Sequence, residues 1–116
     1  MIDANVKRGS AELAVLSLLE RGAMHGYEIA KRVEQESGGM LKFDVASLYP
    51  LLYRMEKRGW VMAEWRESDV GRQRRCYRLT REGRKQLVPL RLQWRRFFEA
   101  LDRLSGFAGA AAEGAQ

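Results

Sequence analysis

From Asp44 to Arg58 the chain reads DVASLYPLLYRMEKR, and its apolar residues Leu48, Leu51, Leu52 and Met55 recur at i, i+3, i+4 and i+7. That spacing puts them in one stripe of an α-helix and leaves Tyr49, Tyr53, Arg54, Lys57 and Arg58 on the other face. Gly59 follows at once and suits a left-handed C-cap. The start has two candidates, Asp44 and Ser47. A cap at Ser47 would put Pro50 at the third helical position, where its missing N–H costs little because first-turn donors have no partner within the helix. An ordinary amphipathic surface helix has the same pattern, so this stretch alone does not fix a function.

The same reading extends along the chain. Residues 1–9 are polar and read as a flexible arm. Ser10 is a good N-cap for a helix to about Arg21, turning inward either Leu13, Leu16 and Leu19 or Leu13, Ala14 and Leu18, and Gly22 ends it. Gly26 opens a second helix, YEIAKRVEQES, whose apolar positions are Tyr27, Ile29, Ala30 and Val33; Gly38-Gly39 closes it. Trp60 to Trp65 then reads as a strand, Glu67 to Arg72 as a polar turn, and Arg74 to Leu79 as a second strand in which Cys76 and Arg78 alternate with Tyr77 and Leu79. Trp60 and Trp65, at the two ends of one strand, are expected to pack the hairpin on the core. Three short helices, the third basic, followed directly by a hairpin is the order of a winged helix-turn-helix.

Thr80 caps a long last helix, expected from Arg81 to about Leu104. In it Leu87, Leu90, Trp94, Phe97, Leu101 and Leu104 alternate at spacings of three and four, a heptad seam. Such a seam on a helix that projects from a small domain is expected to match a second copy, which makes these six residues the expected dimer interface. Val88, Leu92 and Phe98, off the seam, offer the alternative of packing back on the same domain, and the two can coexist. Pro89 lies inside the helix and is expected to kink or loosen it. Residues 105–116 are small-residue low complexity, expected to be disordered. The expected fold is therefore mainly α with a small β-hairpin: an arm over 1–9, a winged helix-turn-helix domain over 10–80, a dimerisation helix over 81–104 and a tail over 105–116.

Charge changes this picture. The 116 residues carry +6 with a pI near 9.9, and the surplus is uneven. Residues 1–43 balance six Lys/Arg against six Asp/Glu, residues 44–80 carry eight against five, and residues 81–104 seven against three. A surplus confined to the second half suits a chain that meets a polyanion there. The hairpin tip gathers Arg72, Arg74 and Arg75 around Gly71, so helix and wing are basic together. Tyr49, Tyr53 and Arg54 project from the helix toward base edges or phosphate. Lys57, Arg72, Arg74 and Arg75 are expected to neutralise phosphates, giving salt-sensitive, largely sequence-independent affinity.

Several stretches together resemble the PadR family of bacterial transcriptional regulators, in its short form: His25-Gly26-Tyr27-Glu28-Ile29, then Ser47-Leu48-Tyr49-Pro50, Leu52 through Arg58-Gly59, Gly71-Arg72 with the basic strand, and Arg78-Leu79-Thr80 with Gly83. Each piece is weak alone; their order and spacing over about Ser10 to Leu104 make the match specific. The resemblance implies a homodimeric winged-helix repressor of a double-stranded operator with dyad symmetry. It implies that the 44–58 helix, with Ser47 in its first turns, lies in the major groove and that the hairpin follows the minor groove or backbone. It places dimerisation on the last helix, often helped by the first. In relatives that sense planar aromatic compounds a last-helix tryptophan stacks on the ligand between subunits, and Trp94 stands at that place; on residue type alone, a Trp on such a seam is interface filling. Pro89 in the last helix and Cys76, where an aromatic is common, depart from the family pattern and bear on any cavity between subunits.

An enzyme is not expected. With one His and one Cys there is no nucleophile motif, no glycine-rich phosphate loop and no metal-ligand cluster, so neither cofactor nor metal is expected. His25 reads as a turn residue and Cys76 as a small, partly buried one. A single Cys, no apolar run near the roughly 20 residues of a membrane span and no signal-peptide pattern point to a cytoplasmic setting. A winged-helix module that meets an acidic partner protein instead of DNA is the competing reading.

Overall fold

The computed structural model describes residues 4–67 and 70–107. Four helices surround a small sheet in the order α1 (Ala4–Leu19), β1 (Met24–His25), α2 (Gly26–Glu36), α3 (Val45–Lys57), β2 (Val61–Glu67), β3 (Gln73–Leu79) and α4 (Arg81–Ser105). The sheet is antiparallel with β3 in the middle, pairing Met24 with Tyr77 and His25 with Cys76 on one side and running from Val61–Leu79 to Glu67–Gln73 on the other.

The core gathers one face from each element: Val15, Leu16, Leu18 and Leu19 of α1, Ile29 and Val33 of α2, Leu48, Leu51, Leu52 and Met55 of α3, Val61, Tyr77 and Leu79 of the sheet, and Leu87 of α4. The α3 stripe is the one its periodicity predicts. Two helices differ from expectation. Because α1 packs against α2, α4 and β3, it buries more than one stripe, and Leu13 is only partly covered. Tyr27 of α2 is 72% exposed, since only Gly26, Ile29 and Val33 of that helix turn inward.

The expected arm is corrected from Ala4 onward. Helix α1 starts there, and Ser10 lies inside it instead of capping it. Gly9 permits the continuation by close packing: a Cβ there would stand 3.1 Å from the Trp94 indole of α4. The expected arm residues 1–3 and tail residues 108–116 lie outside the described residues; Ser105 ends α4, and Gly106 caps it in the left-handed conformation.

Helix α4 begins with a tight joint. The Thr80 hydroxyl oxygen accepts the Gly83 N–H at 3.0 Å and donates its proton to the Gly59 and Trp60 carbonyls, tying the end of α3 to the start of α4. Pro89 does not divide α4. It sits on the exposed face of a helix that runs unbroken from Arg81 to Ser105. At the other end of the α1–α4 contact, Arg91 clasps the Glu20 carboxylate with two hydrogen bonds, which hold that carboxyl below the usual glutamate range.

The interface residues expected on α4 divide. Leu87 is 1% exposed and belongs to the chain's own core, with Leu90 packed against it, so Leu87 is unavailable to a second copy. The first members of the seam are consumed by the chain's own core, against which α4 packs through α1 and β3. Phe97 and Leu104 are exposed, at 43% and 86%. Val88, Leu92 and Phe98, expected as the packing-back alternative, also face outward. Among the described residues no helix is long and apolar enough to cross a membrane.

Candidate nucleic-acid interface

The site begins with a cap. Asp44 accepts the Ser47 backbone N–H at 2.8 Å and the Ser47 hydroxyl at 2.6 Å, and these bonds, the hydroxyl's first, hold its carboxyl below the usual aspartate range. Asp44 is thus the N-cap of α3. Pro50 falls at the sixth helical position, beyond the first turn, and is exposed. The Ser47 hydroxyl, a candidate DNA contact, is committed to that cap.

With the apolar stripe anchored in the core, Tyr49 and Tyr53 are 43% and 57% exposed. The Lys57 ammonium lies 5.0 Å from the Tyr53 ring centroid, so the two present one cationic-aromatic unit. Arg54 and Arg58 depart from the expected outward face. Arg54 is half-buried, and its Nε lies buried with no hydrogen-bond partner among the described residues. Arg58 turns back to α1, reaching the buried Glu12 carboxylate at 3.2 Å and stacking over the Trp60 ring at 4.9 Å. It fixes the far end of α3.

In the hairpin, Arg75 binds both Glu56 carboxylate oxygens, at 3.1 and 3.2 Å, bracing the wing against α3. Arg74 points Nη1 at His25 Nε2, 2.9 Å away, while His25 Nδ1 caps α2 by accepting the Glu28 N–H at 3.1 Å. Arg72 lies at the turn, outside this cluster. Trp60 packs against the core as expected, whereas Trp65 is 67% exposed because β2 runs past the edge of the core, where Trp65 stands opposite Arg75.

Four elements, β1, α2, α3 and β3, therefore share one groove of about 420 Å³, lined by His25, Gly26, Tyr27, Tyr49, Arg74 and Arg75. Of the candidate DNA contacts it brings Tyr49, Arg74 and Arg75 together. Ser47, Tyr53, Arg54, Lys57 and Arg72 are not in its lining. His25 and Tyr27, whose rings stack at 6.3 Å with 18° between planes, were not among the candidates. The signal for them was the His-Gly-Tyr at a helix start, which becomes a site only when β1 sets His25 beside β3.

A family model described as transcriptional regulator PadR-like matches residues 15–88. The chain belongs to the PadR-like family of transcriptional regulators. An uncharacterised protein of Lysinibacillus sphaericus is 26% identical to this PadR-like chain over 102 residues, covering 88% of it and 94% of that protein. A transcriptional regulator from Clostridium thermocellum superposes with a TM-score of 0.79 at 28% identity, covering 90% of this chain and 99% of that one. A PadR family transcription regulator from Clostridium difficile gives 0.72 at 27%, covering 81% and 96%.

Two features of this PadR-like regulator lie away from the groove. Trp94 is half-buried, with its ring 5.5 Å from Phe97 edge-on and 5.7 Å from Phe98. Cys76 is buried in the middle strand opposite His25 and Glu64, not on α1 or α4. Among the described residues no group of three or more His, Cys, Asp or Glu is placed to hold a metal ion.

Proposed function

We propose that the chain is a homodimeric, sequence-specific repressor. In this reading α3 enters the major groove of a dyad operator, and Arg72, Arg74 and the hairpin follow the adjacent backbone or minor groove. The observation that carries it is the shared outward face of α3 and the wing: the exposed Tyr49 and Tyr53 beside a wing braced to α3 through Arg75–Glu56. Tyr49, Tyr53 and Arg54 contact bases or phosphate, and Lys57 with the wing arginines supplies the salt-sensitive part of the affinity.

Dimerisation runs through the apolar surface that α4 leaves uncovered, including Leu92, Phe97, Phe98 and Leu104, continuous with the half-buried Trp94. A small planar aromatic effector stacks on Trp94 beside Phe97 and Phe98. It relieves repression by favouring a dimer in which the two recognition helices have another spacing. The domain from 10 to 80 reads DNA, and α4 pairs the copies.

The test is binding to a labelled duplex from upstream of the chain's own gene against a scrambled duplex, at two salt concentrations. Tighter binding to the upstream duplex with a protected dyad supports the reading. Equal, strongly salt-dependent binding to both removes the sequence-specific part. No binding to either favours a winged-helix module for an acidic partner protein.

A further inference from the structure

Helix α2 starts at a histidine whose two ring nitrogens are both asked to accept. Nδ1 lies 3.1 Å from the Glu28 N–H, and Nε2 lies 2.9 Å from the Arg74 guanidinium, which can only donate. A neutral imidazole has one lone pair for such bonds; its other nitrogen carries hydrogen. With Nδ1 occupied as the cap of α2, Nε2 carries the proton, and its N–H meets a guanidinium N–H. The other tautomer only moves the mismatch to the cap, where Nδ1–H would face the Glu28 N–H. Two donors held at hydrogen-bond distance make no bond with each other. What satisfies both is an oxygen acceptor at the point on which they converge, and an anionic one also offsets the Arg74 charge.

The surroundings match such an acceptor. The groove lining contains two arginines, two tyrosines, a histidine and a glycine, and no carboxylate among the described residues. Arg75 is already engaged by Glu56, so Arg74 is the cation of this groove that faces another donor. The Tyr49 hydroxyl, which packs over the bare Gly26, adds a further donor to the lining. The Tyr27 ring lies nearly parallel to the imidazole, 6.3 Å away. The groove is open to solvent on the same face as the exposed side of α3, so the oxygen can belong to a long polyanion.

We infer that His25 and Arg74 together hold one backbone phosphate of the bound duplex, His25 through Nε2–H and Arg74 through its guanidinium. This inference rests on the DNA-binding reading given above and adds to it a phosphate clamp built from α2 and β3. The clamp would hold the phosphate beside Tyr49 of α3, which lines the same groove.

The experiment compares the full-length protein with His25→Asn, Arg74→Ala and the double variant on the upstream duplex. Asparagine keeps an acceptor for the α2 cap and cannot present the Nε2 donor. Thermal melting unchanged in His25→Asn separates contact from folding. Each single substitution is expected to lower affinity by roughly tenfold, the usual scale of a hydrogen bond to a charged group. The double variant is expected to lose far less than the product of the two, because both donors act on one oxygen. Phosphate-ethylation interference supplies a second readout: one phosphate per half-site whose ethylation blocks the natural protein and is neutral for either variant. Natural protein that binds while the variants bind equally well, or lose affinity in full proportion with no such phosphate, overturns the clamp and leaves the DNA reading standing. Natural protein that binds no duplex overturns both. If inorganic phosphate shifts the His25 ring resonances while the variants keep duplex affinity, the site takes a free anion, and the clamp is likewise overturned.

Discussion

Gly26, the first residue of α2, lies beneath the phenol of Tyr49 on α3: a Cβ at Gly26 would stand 2.6 Å from the Tyr49 hydroxyl oxygen and 2.9 Å from Cζ. The absent side chain therefore sets where an exposed residue of α3 can rest. Gly26→Ala would push the far end of a tyrosine aside without touching the core, and alanine is the better helix former. Stability is expected to change by under about 1 kcal/mol. Operator affinity is expected to fall by roughly 5- to 10-fold. Melting and duplex titration on one preparation check both, and unchanged affinity would detach Tyr49 from the interface.

Gly83 is the contrasting glycine. A Cβ there would overlap the Trp60 carbonyl oxygen and stand 2.6 Å from Leu79 Cδ1, so backbone would have to move. The close approach allows Thr80 to bond at once to Gly83 and to the turn after α3. Gly83→Ala is expected to cost about 2–3 kcal/mol, on the order of 10 °C in Tm. A melting temperature within two or three degrees of the natural protein would mean that the joint is looser than its geometry.

The strongly periodic parts of the fold were legible in the sequence. The α3 stripe of Leu48, Leu51, Leu52 and Met55 is the one its spacing carries, and the two long strands lie where their composition placed them, though Cys76 and Tyr77, expected on opposite faces, are both buried. Strand β1 was not legible, because two residues have no period; it exists only because β3 offers an edge to Met24 and His25. That strand sets His25 beside Arg74, so the groove's most informative pair was invisible to any local pattern. The α4 seam was a real pattern read one step too simply. Spacing cannot tell which end of a long helix is consumed by its own domain, and Leu87 was. Ser10 looked like a cap for a similar reason: packing of Gly9 against Trp94 overrode the local signal.

Arg58, read from spacing as an outward charge, holds the buried Glu12. Arg58→Ala leaves that carboxylate without its cation and removes the cover over Trp60. The cost is expected to be about 1–3 kcal/mol, below that of a fully buried pair because Arg58 is half-exposed. Arg21→Ala, which breaks an exposed pair with Glu36, should cost under about 1 kcal/mol. Replacing both Glu12 and Arg58 by Leu and Met should recover much of the loss. A double replacement as unstable as Arg58→Ala would argue against an uncompensated charge as the cause.

The Asp44 cap gives α3 a pH dependence of known sign. Its folded carboxyl titrates below the ordinary aspartate value, so the stabilisation is fully present above that value and is lost as pH falls through it toward the lower folded one. Asn at position 44 still caps but does not titrate there. The natural protein should therefore lose its melting-temperature advantage over Asp44→Asn as pH falls from about 5 to about 3, with a constant difference above that window. Parallel curves throughout would mean that the Ser47 bonds do not distinguish the two states of the carboxyl.

Tyr53 and Arg72 separate reading from holding. Tyr53, exposed and covered on one side by Lys57, presents a hydroxyl and an aromatic edge from the middle of α3, which in the proposed DNA complex would meet a base edge. Arg72, at the hairpin turn, would meet backbone charge in the same proposed complex. Arg72→Ala should then weaken operator and random duplex alike and make the salt dependence shallower by about one phosphate contact. Tyr53→Ala should weaken operator binding by roughly tenfold, leave random-duplex binding nearly unchanged and keep the salt slope. Equal losses on both duplexes for Tyr53→Ala would move Tyr53 from readout to positioning. Discrimination would then fall to Tyr49, whose rest position Gly26 sets, and Gly26→Ala would become the substitution that alters operator preference.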